Sequence, residues 1–559
     1  MRKSKSEGGS WGFLRFCRNR SGAAGAAVAA RLSEIPDMRT LLLEAGPDEP
    51  SGLEVPANYG VYLGSELDWK YRTTNETHAC LGRNGTCKWP RGKNLGGTTA
   101  HHGMGYHRGH AMDYTRWVEW GNVGWSYEDV LPWFKKCEDN HEIDRVGSKY
   151  HATGGPMSVE RFPWQPDIAQ NLLEAAVEVG YGYAEDLIGD KITGFTIAQT
   201  MSLNGVRQTS ASAYLRPIRN RENLDVVLNA TATKILTQDK KVYGVEYYKN
   251  GEIRTVEVTR EVVVSGGTVN SPQLLLLSGI GPAADLEEIG IPVVLDLPGV
   301  GENLHNHVSY GMDFAVPIKR LTRYNDNDVE LYLSNQTGPL SSTGLAQMTG
   351  VLASTYTTPD DPDIQMFFSG FQEACIFEGA IDAKVLGEDE PFRFTAVNLH
   401  QRSRGRLSLA SKDPLEHPII WSNDLADPTD VEVILEGIHA IQKLVNSSAM
   451  QKTGIYVAME HVEGCSEYEF LTDDYFRCAT RYDTRTENHQ AGTCKMGPAS
   501  DPMAVVDPQL RVHGIEGLRV ADASIMPQMV SGNPHATITM IGERCADFIT
   551  KELSNSTSM

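Results

Sequence analysis

Residues 531–549 carry the pattern that most limits how this chain folds. Asn533 is a favoured residue for capping a helix N-terminus, and Pro534 suits the first helical position. Apolar side chains then recur at helical spacing, at Ile538, Ile541, Cys545, Phe548 and Ile549. The pattern predicts a helix that begins at Asn533 and buries one face. The free amide groups and positive dipole of its first turn are suited to holding an anion.

The segments before this helix contribute a histidine and an acid. Residues 489–497 read HQAGTCKMG, and residues 518–522 are an apolar strand pattern that ends in Asp522. Ligands of open α/β sheets bind at the carboxyl edge of the strands, where Asp522 is expected to lie. A second block, residues 262–281, predicts a buried strand, a tight glycine turn and a leucine-rich helix that ends at Gly279.

The N-terminal region predicts half of a dinucleotide-binding unit. Residues 23–33 indicate an alanine-rich helix, and residues 40–44 indicate a buried strand that ends in Glu44. An acid at this distance from the last glycine of such a unit binds the adenosine ribose, so Glu44 is the candidate. Residues 225–265 alternate short strands with turns, including the hairpin signal Asn250-Gly251, and predict a small antiparallel layer.

The glycine-rich turn of that unit is incomplete. Gly22 and Gly25 fit the last two positions of Gly-x-Gly-x-x-Gly, but Arg20 replaces the first glycine. Arg18 and Asn19 fall where a buried apolar strand is expected, and burying an unpaired charge there costs several kcal/mol. The sequence therefore predicts a degraded first strand. Either residues 1–20 are not the native start, or the protein has lost part of its nucleotide site.

Charge and hydropathy argue against nucleic-acid binding and against a membrane span. The 559-residue chain has a formal net charge of -21 and no cluster of Lys and Arg, which disfavours nucleic acid. Its longest notable apolar run, residues 274–277, is far short of the roughly eighteen residues that cross a membrane. We expect neither a nucleic-acid partner nor a membrane span.

Cysteines and glycosylation sequons indicate a secreted protein. Cys80 and Cys87 bracket a short loop, as do Cys465 and Cys478, which is typical of local disulfides in secreted proteins. Asn-X-Ser/Thr sequons begin at Asn75, Asn84, Asn229, Asn335, Asn446 and Asn555. Residues 1–20 contain only a short apolar patch, too little for a signal peptide. Secretion is therefore expected without a recognisable export signal.

Three blocks resemble the signatures of the glucose-methanol-choline (GMC) family of FAD-dependent alcohol oxidoreductases. They are residues 89–100 (WPRGKNLGGTTA), residues 267–281 (GTVNSPQLLLLSGIG) and residues 489–535. Residues 124–133 (GWSYEDVLPW), together with the paired cysteines, are most similar to insect glucose dehydrogenase-like members. The resemblance runs from about Gly22 to Phe548.

The resemblance implies a fold and a division into domains. The fold is α/β, with an FAD-binding Rossmann-type domain of three layers (ββα) and an α+β substrate domain that covers the flavin. Residues 12–307 and 486–553 are expected to form the FAD-binding domain, and residues 308–485 the substrate domain. Specificity would come from the roof of the substrate domain, around residues 310–390, which carries no readable motif.

The resemblance also implies a reaction, in which a CH–OH group of an alcohol or sugar is oxidised by hydride transfer to flavin N5. His489 would take the hydroxyl proton, because imidazole has a pKa near working pH. Asn533 would hydrogen-bond the alkoxide, and oxygen or a quinone would accept the electrons. The implied FAD contacts are Gly22, Gly25, Glu44, Trp89, Arg91, Gly96, Gly97, Thr98, His101, His102, Ala232, Asp522 and His535.

Histidines in and after the first block raise two possibilities, a covalently attached flavin and a metal site. His101 aligns with the histidine that carries the flavin covalently in choline oxidase, although a packed histidine is the more common case. His107 and His110 suggest a metal site, yet no Cys or carboxylate at ligand spacing completes a set, so no metal is expected.

Two other functions compete with alcohol oxidation. Plant hydroxynitrile lyases share the family's fold and keep FAD without redox turnover. A flavin-free pseudoenzyme, acting as a binding or structural protein, is the reading favoured by Arg20 in the glycine turn.

Overall fold

The computed structural model describes residues 14–19, 21–319, 325–372 and 389–557. The strands are β1 (Leu14–Asn19), β2 (Thr40–Leu43), β3 (Tyr71–Arg72), β4 (Lys88–Trp89), β5 (Glu138–Asn140), β6 (Met157–Val159), β7 (Gly194–Ile197), β8 (Ser202–Leu203), β9 (Val206–Arg207), β10 (Leu224–Val227), β11 (Thr231–Gln238), β12 (Lys241–Lys249), β13 (Glu252–Val264), β14 (Ile280–Gly281), β15 (Leu295–Asp296), β16 (Val308–Lys319), β17 (Met348–Leu352), β18 (Ile364–Gly370), β19 (Asp389–Asn398), β20 (Arg406–Ser408), β21 (Ile419–Trp421), β22 (Tyr456–Val457), β23 (Arg485–Thr486) and β24 (Leu518–Val520).

The helices follow in the same order along the chain. They are α1 (Ala23–Leu32), α2 (Ala111–Glu119), α3 (Tyr127–Cys137), α4 (Ile143–Val146), α5 (Ile168–Glu178), α6 (Gly267–Leu277), α7 (Ala283–Glu288), α8 (Asp326–Asn335), α9 (Pro428–Val445), α10 (Ser448–Gln451), α11 (Asp473–Tyr482) and α12 (His535–Thr557). Short 3₁₀ turns and one π-helical turn connect several of them.

A parallel sheet forms the centre of the nucleotide-binding part. Its strands lie in the order β10-β2-β1-β13, and β24 pairs with the free side of β13. The strand predicted to be degraded is present, because β1 pairs in parallel with β2 and β13 through Asn19. Arg20, the residue in place of the first glycine, lies outside the described residues, so its effect on the turn stays a prediction.

The long strand β13 joins two layers of the fold. Its N-terminal half pairs with β12 in the antiparallel layer β11-β12-β13, and its C-terminal half enters the parallel sheet. Asn250 and Gly251 both have positive φ at the turn between β12 and β13, as the hairpin signal requires. The predicted antiparallel layer is confirmed.

Helices α1 and α12 form the layer on the other face of the parallel sheet. Almost every residue of α1 is buried, which explains its run of alanines, because only small side chains allow two helices to approach closely. A Cβ atom added at Gly542 of α12 would lie 2.6 Å from the backbone oxygen of Ala24. The sheet, the antiparallel layer and these helices make the predicted three-layer ββα arrangement.

Helix α12 differs from its prediction at its start. It begins at His535, and the amide of Ile538 donates to the carbonyl oxygen of Pro534 at 2.9 Å. Asn533 therefore precedes the helix instead of capping it, because its side-chain amide is directed toward His489.

A second sheet, the roof sheet, covers the carboxyl edge of the parallel sheet. Its strands run β22-β16-β19-β18-β17-β7, and β23 adds to β16. Helix α9 packs on its outer face. Strand β7 lies inside the segment 12–307, which was assigned to the FAD-binding domain, and β23 spans the predicted boundary at 485/486. Both strands nevertheless belong to the roof sheet. The division into domains stays a prediction.

The two local disulfides expected from the sequence are present. Cys80–Cys87 and Cys465–Cys478 are disulfide bonds, while Cys137 and Cys494 are buried thiols outside these bonds. Among the described helices, none is both long and apolar enough to cross a membrane.

The close approach of α1 and α12 generates a prediction. We expect Gly542→Val to lower the free energy of unfolding by about 1–3 kcal/mol, because the new side chain must push α1 away from α12. Thermal unfolding followed by circular dichroism measures the loss. Lys551→Val, on the exposed face of the same helix, is the matched control and should leave Tm nearly unchanged. An equal loss in both variants would contradict the packing argument.

Candidate active site

A cavity of about 550 Å³ lies between the carboxyl edge of the parallel sheet and the roof sheet. This volume is within the usual range for small-molecule and cofactor sites. Of the predicted site residues, those that line it are Gly22, Glu44, Arg91, Gly97, Thr98, His101, His102, His489, Asp522, Asn533 and His535. Segments hundreds of residues apart in the chain therefore meet around one space.

Four predicted cofactor residues do not line this cavity. Gly25 is inside α1, Gly96 precedes Gly97 in the adjoining turn, and Trp89 is fully buried in β4. Ala232 borders a separate pocket of about 20 Å³ beside Trp69 and His417. Their proposed contacts to FAD stay predictions.

Glycines bring two backbone turns close together at one end of the cavity. A Cβ atom on Gly22 would meet nothing within 4 Å, while one on Gly97 would lie 3.2 Å from the Cα atom of Gly22. Gly96 and Gly97 have φ of +88° and +57°, a left-handed conformation that favours glycine, and the amide of Gly97 donates to the carbonyl oxygen of Asn94 at 2.8 Å. The amide of Gly96 donates to Ser21 Oγ at 3.1 Å, which ties this turn to the start of α1.

Glu44 is buried at the same end and is held in one orientation. Its Oε2 accepts from the amide and the hydroxyl of Ser21 at 3.0 and 2.7 Å, and its Oε1 accepts from the amide of Gly46. Glu44 also lines the cavity. Its contact with the adenosine ribose stays a prediction.

Asp522 lines the cavity and fastens two elements together. Its Oδ2 accepts from the amide of Gly267 at 2.8 Å and from the hydroxyl of Ser271 at 2.5 Å, both in α6. Its Oδ1 accepts from the amide and hydroxyl of Ser524, in the turn after β24. The carboxylate thereby holds the start of α6 against the end of β24.

His489 is held between two elements of the roof and the helix start. Its Nδ1 lies 3.0 Å from Nδ1 of His307, whose Nε2 lies 3.1 Å from the carbonyl oxygen of Leu399. A carbonyl only accepts, so a neutral His307 carries its proton on Nε2 and offers Nδ1 as an acceptor. His489 must then carry its proton on Nδ1, which leaves the lone pair on Nε2.

The free lone pair of His489 faces Asn533. The distance from His489 Nε2 to Asn533 Nδ2 is 3.4 Å, and Asn533 Oδ1 lies 3.4 Å from Nε2 of Gln365. Burial lowers the pKa of His489 well below its ordinary value, and the neighbouring His307 and Arg91 lower it further. Burial also lowers the pKa of His307 to about 3, so both rings are neutral near pH 7.

A second pair of histidines lies at the start of α12. The amide of Met104 donates to Nδ1 of His102, and Nε2 of His102 is 2.8 Å from Nδ1 of His535. The proton of His102 is therefore on Nε2, which makes His535 an N–H donor at its own Nε2. That atom is buried and has no hydrogen-bond partner among the described residues. Burial lowers the pKa of His535 to about 3, so the pair stays neutral.

The roof supplies lining residues that the sequence did not reveal. They are Thr349, Phe367, Phe368, Ser369, Arg393, Thr395, Arg485 and Glu487. Arg393 pairs with Asp313 through two hydrogen bonds of 2.5 and 2.6 Å, and Glu487 accepts from Ser309 Oγ. Burial raises the pKa of Glu487. No motif marks these positions, because their side chains converge only when the roof sheet forms.

The cavity has the features that an elongated, polar and anionic cofactor needs. At one end, Gly22 leaves open space beside the start of α1. Buried polar atoms without a partner in the described chain border the rest of it, among them Ser265 Oγ, Asn488 Oδ1 and His535 Nε2. Unpaired buried groups are costly, so their concentration here indicates a ligand that completes them. These residues fit FAD.

Comparisons with known proteins agree with this geometry. Models of the GMC oxidoreductase family match residues 18–309 and 401–542. Glucose dehydrogenase [FAD, quinone] of Drosophila melanogaster is 45% identical over 94% of this chain and 85% of its own length. Human mitochondrial choline dehydrogenase is 36% identical over 95% of this chain and 88% of its own. The crystal structure of pyridoxine 4-oxidase from Mesorbium loti superposes with a TM-score of 0.82 at 26% identity, covering 96% of this chain and 98% of that one. The chain belongs to the GMC oxidoreductase family and is an FAD-dependent oxidoreductase that acts on CH–OH groups.

Proposed function

We propose that this protein oxidises a sugar or another alcohol with His489 as the base and Asn533 as the second contact to the reacting oxygen. The observation that supports this most directly is the 3.4 Å approach of His489 Nε2 to Asn533 Nδ2 on the cavity wall. A hydroxyl placed between them can donate to the imidazole lone pair and accept from the amide. The separation is long for a direct hydrogen bond, which leaves both groups ready for a third partner.

The roof keeps this base in its reactive form. Because His307 holds the proton of His489 on Nδ1, the nitrogen that faces the cavity is always the acceptor. Gln365 fixes Asn533 with its carbonyl turned away and its amide toward the histidine. Proton transfer to a positioned imidazole contributes typically about 10²–10⁴-fold to a rate.

FAD, when bound, supplies the acceptor for the hydride that leaves the carbon. Arg91, Thr98 and His102 would hold its flavin half from the side of the parallel sheet, together with Asp522. His535 Nε2–H and the first amides of α12 would donate to the part of the ring system that becomes negative. Gly22, Gly97 and Glu44 would hold the pyrophosphate and the ribose.

The relatives and the cavity lining support a choice of substrate and electron acceptor. The fruit-fly relative is a glucose dehydrogenase that uses a quinone, and this cavity has hydroxyl, guanidinium and carboxyl groups on its roof side. A polyhydroxylated substrate satisfies such groups better than an aliphatic alcohol does. We therefore favour a sugar as substrate and a quinone, rather than oxygen, as acceptor.

Anaerobic mixing with candidate sugars and alcohols tests the function. Bleaching of the flavin absorbance by a sugar, followed by reoxidation with a quinone faster than with air, is the expected result. A flavin that stays yellow with every substrate, combined with cleavage of a hydroxynitrile, would favour the lyase alternative. Purified protein that takes up no FAD would favour the flavin-free alternative.

Substitutions at the two histidines test the proposed base. We expect His489→Ala to slow anaerobic flavin reduction on the order of a hundredfold or more. His307→Phe preserves a ring of similar size but removes the acceptor for His489, and should slow reduction by roughly tenfold or more. Both rates are measured by stopped-flow absorbance on samples matched for FAD content.

His141→Phe is the matched control, because His141 is exposed and distant from the cavity lining. It should reduce at the rate of the unmodified protein. Near-normal reduction in His489→Ala would refute the base assignment, and equal rates in His307→Phe and His141→Phe would refute the role of His307.

The environment of His101 predicts that the flavin is not covalently attached. His101 Nε2 lies 2.8 Å from Asn94 Oδ1, which only accepts, so this nitrogen carries the proton and is engaged. Burial lowers the pKa of His101 to about 4. Acid precipitation should release all flavin into the supernatant, and a fluorescent protein band on a denaturing gel would contradict the prediction.

We infer that the protein is secreted and glycosylated. Both disulfides are formed, and the asparagines of all six sequons noted above are exposed. Expression through a eukaryotic secretory pathway should therefore add several N-glycans. Treatment with an N-glycosidase should reduce the mass by a few kilodaltons, and an unchanged mass would argue against this location.

A further inference from the structure

A group of three potential metal ligands lies outside the cofactor cavity. His110 immediately precedes α2, Asp361 is in the loop between β17 and β18, and His400 follows β19. Oδ1 of Asp361 lies 3.7 Å from Nε2 of His110 and 3.7 Å from Nε2 of His400. One ligand atom from each residue lies within 4.8 Å of the other two. None of the three lines the cavity.

His110 is the residue whose environment calls for a ligand. Its exposed fraction is 6%, and Nε2 has no hydrogen-bond partner among the described residues although it faces Asp361. A buried polar atom without a partner is costly and uncommon, and it points to a missing water or ion. Asp361 and His400 have side-chain exposures of 19% and 15%, which leaves an entry path from solvent.

The geometry suits a small divalent ion. Zinc binds imidazole nitrogen and carboxylate oxygen at about 2.0–2.2 Å, so tetrahedral ligand atoms are about 3.4 Å apart. The two 3.7 Å separations from Asp361 require movements of a few tenths of an ångström, and the two imidazole ligand atoms, which lie within 4.8 Å of each other, can approach by rotation of the rings. Two imidazoles and one carboxylate are borderline and hard donors, a set that favours zinc over calcium or magnesium.

The surrounding charges leave room for a cation. Arg116 Nη1 lies 2.7 Å from both oxygens of Asp361, and its Nη2 lies 2.8 Å from Asp113 Oδ1. Asp363 also interacts electrostatically with His400. Two carboxylates, those of Asp361 and Asp113, bond to one guanidinium, so a net negative charge remains when the imidazoles are neutral. Arg116 competes with a metal ion for Asp361, and this competition should limit the affinity of the site for the metal.

We propose that His110, Asp361 and His400 form a binding site for a divalent transition-metal ion such as Zn²⁺, with water in the fourth position. The ion would clamp α2 of the nucleotide-binding part to the β17–β18 loop and the end of β19 in the roof sheet. His400 Nε2 also lies 2.8 Å from Ser531 Oγ, two residues before Asn533. An Nε2 atom that binds the metal no longer hydrogen-bonds Ser531, so the ion would replace this contact and the 3.4 Å contact with Arg116 Nη2.

Equilibrium dialysis of the FAD-loaded protein against micromolar Zn²⁺, after treatment with a chelator, tests the site. Elemental analysis should find one more equivalent of zinc in the unmodified protein than in His110→Ala or His400→Gln. Zinc should also raise Tm in the unmodified protein and not in these variants. His439→Ala, which removes an exposed histidine beside Asp473, is the control and should bind as the unmodified protein does.

Arg116→Met provides a second and opposite readout. Removal of the competing guanidinium should tighten zinc binding on the order of tenfold or more, because a like charge no longer opposes the ion. Zinc uptake that is equal in all five proteins, or absent from all, would overturn the proposal. Because the readouts are metal content and Tm, they do not depend on which substrate the enzyme oxidises.

Discussion

The position of the active site depends on one buried carboxylate, that of Asp522. It accepts four hydrogen bonds, two from α6 and two from the turn after β24, and it lies where the parallel strands end. A buried charge is tolerated only when hydrogen bonds replace its lost hydration, and hydrogen bonds to charged groups contribute about 1.5–3 kcal/mol each. One of these bonds satisfies the amide group of Gly267, the first residue of α6. Asp522 thus joins two helix-bearing segments, 267–277 and 518–525, that are far apart in the chain.

The roof sheet completes the chemistry that the parallel sheet begins. The side chains expected to hold FAD come mainly from the nucleotide-binding layers, but the tautomer of His489 is set by His307 and the carbonyl of Leu399. Asn533 is likewise oriented by Gln365 from β18. A loosened roof would therefore disturb the proposed base before it disturbed cofactor binding. In the proposed mechanism, these few hydrogen bonds couple the structure of the roof to catalysis.

The sequence predicted those elements of the fold whose pattern lies within one short segment of the chain. Helix α1, strand β2, the hairpin at Asn250 and the glycine-ended helix α6 were all predicted, because each depends on residue spacing within one short segment. The start of α12 was predicted two residues early, since Asn533 has a capping side chain that a tertiary contact redirects. The strand β1 was expected to be degraded, yet two parallel neighbours hold its backbone in the sheet.

Groups assembled from distant segments were beyond prediction from this sequence alone. His307 follows no motif that would link it to His489, and its role becomes visible only when β16 and β23 lie side by side. The same reason explains why no metal site was expected near His110. The residues near His110 in the sequence complete no ligand set, whereas Asp361 and His400 come from the roof. The absence of ligands near a histidine in the sequence is thus weak evidence against a metal site. The fold, rather than spacing along the chain, decides which carboxylate lies close to that histidine.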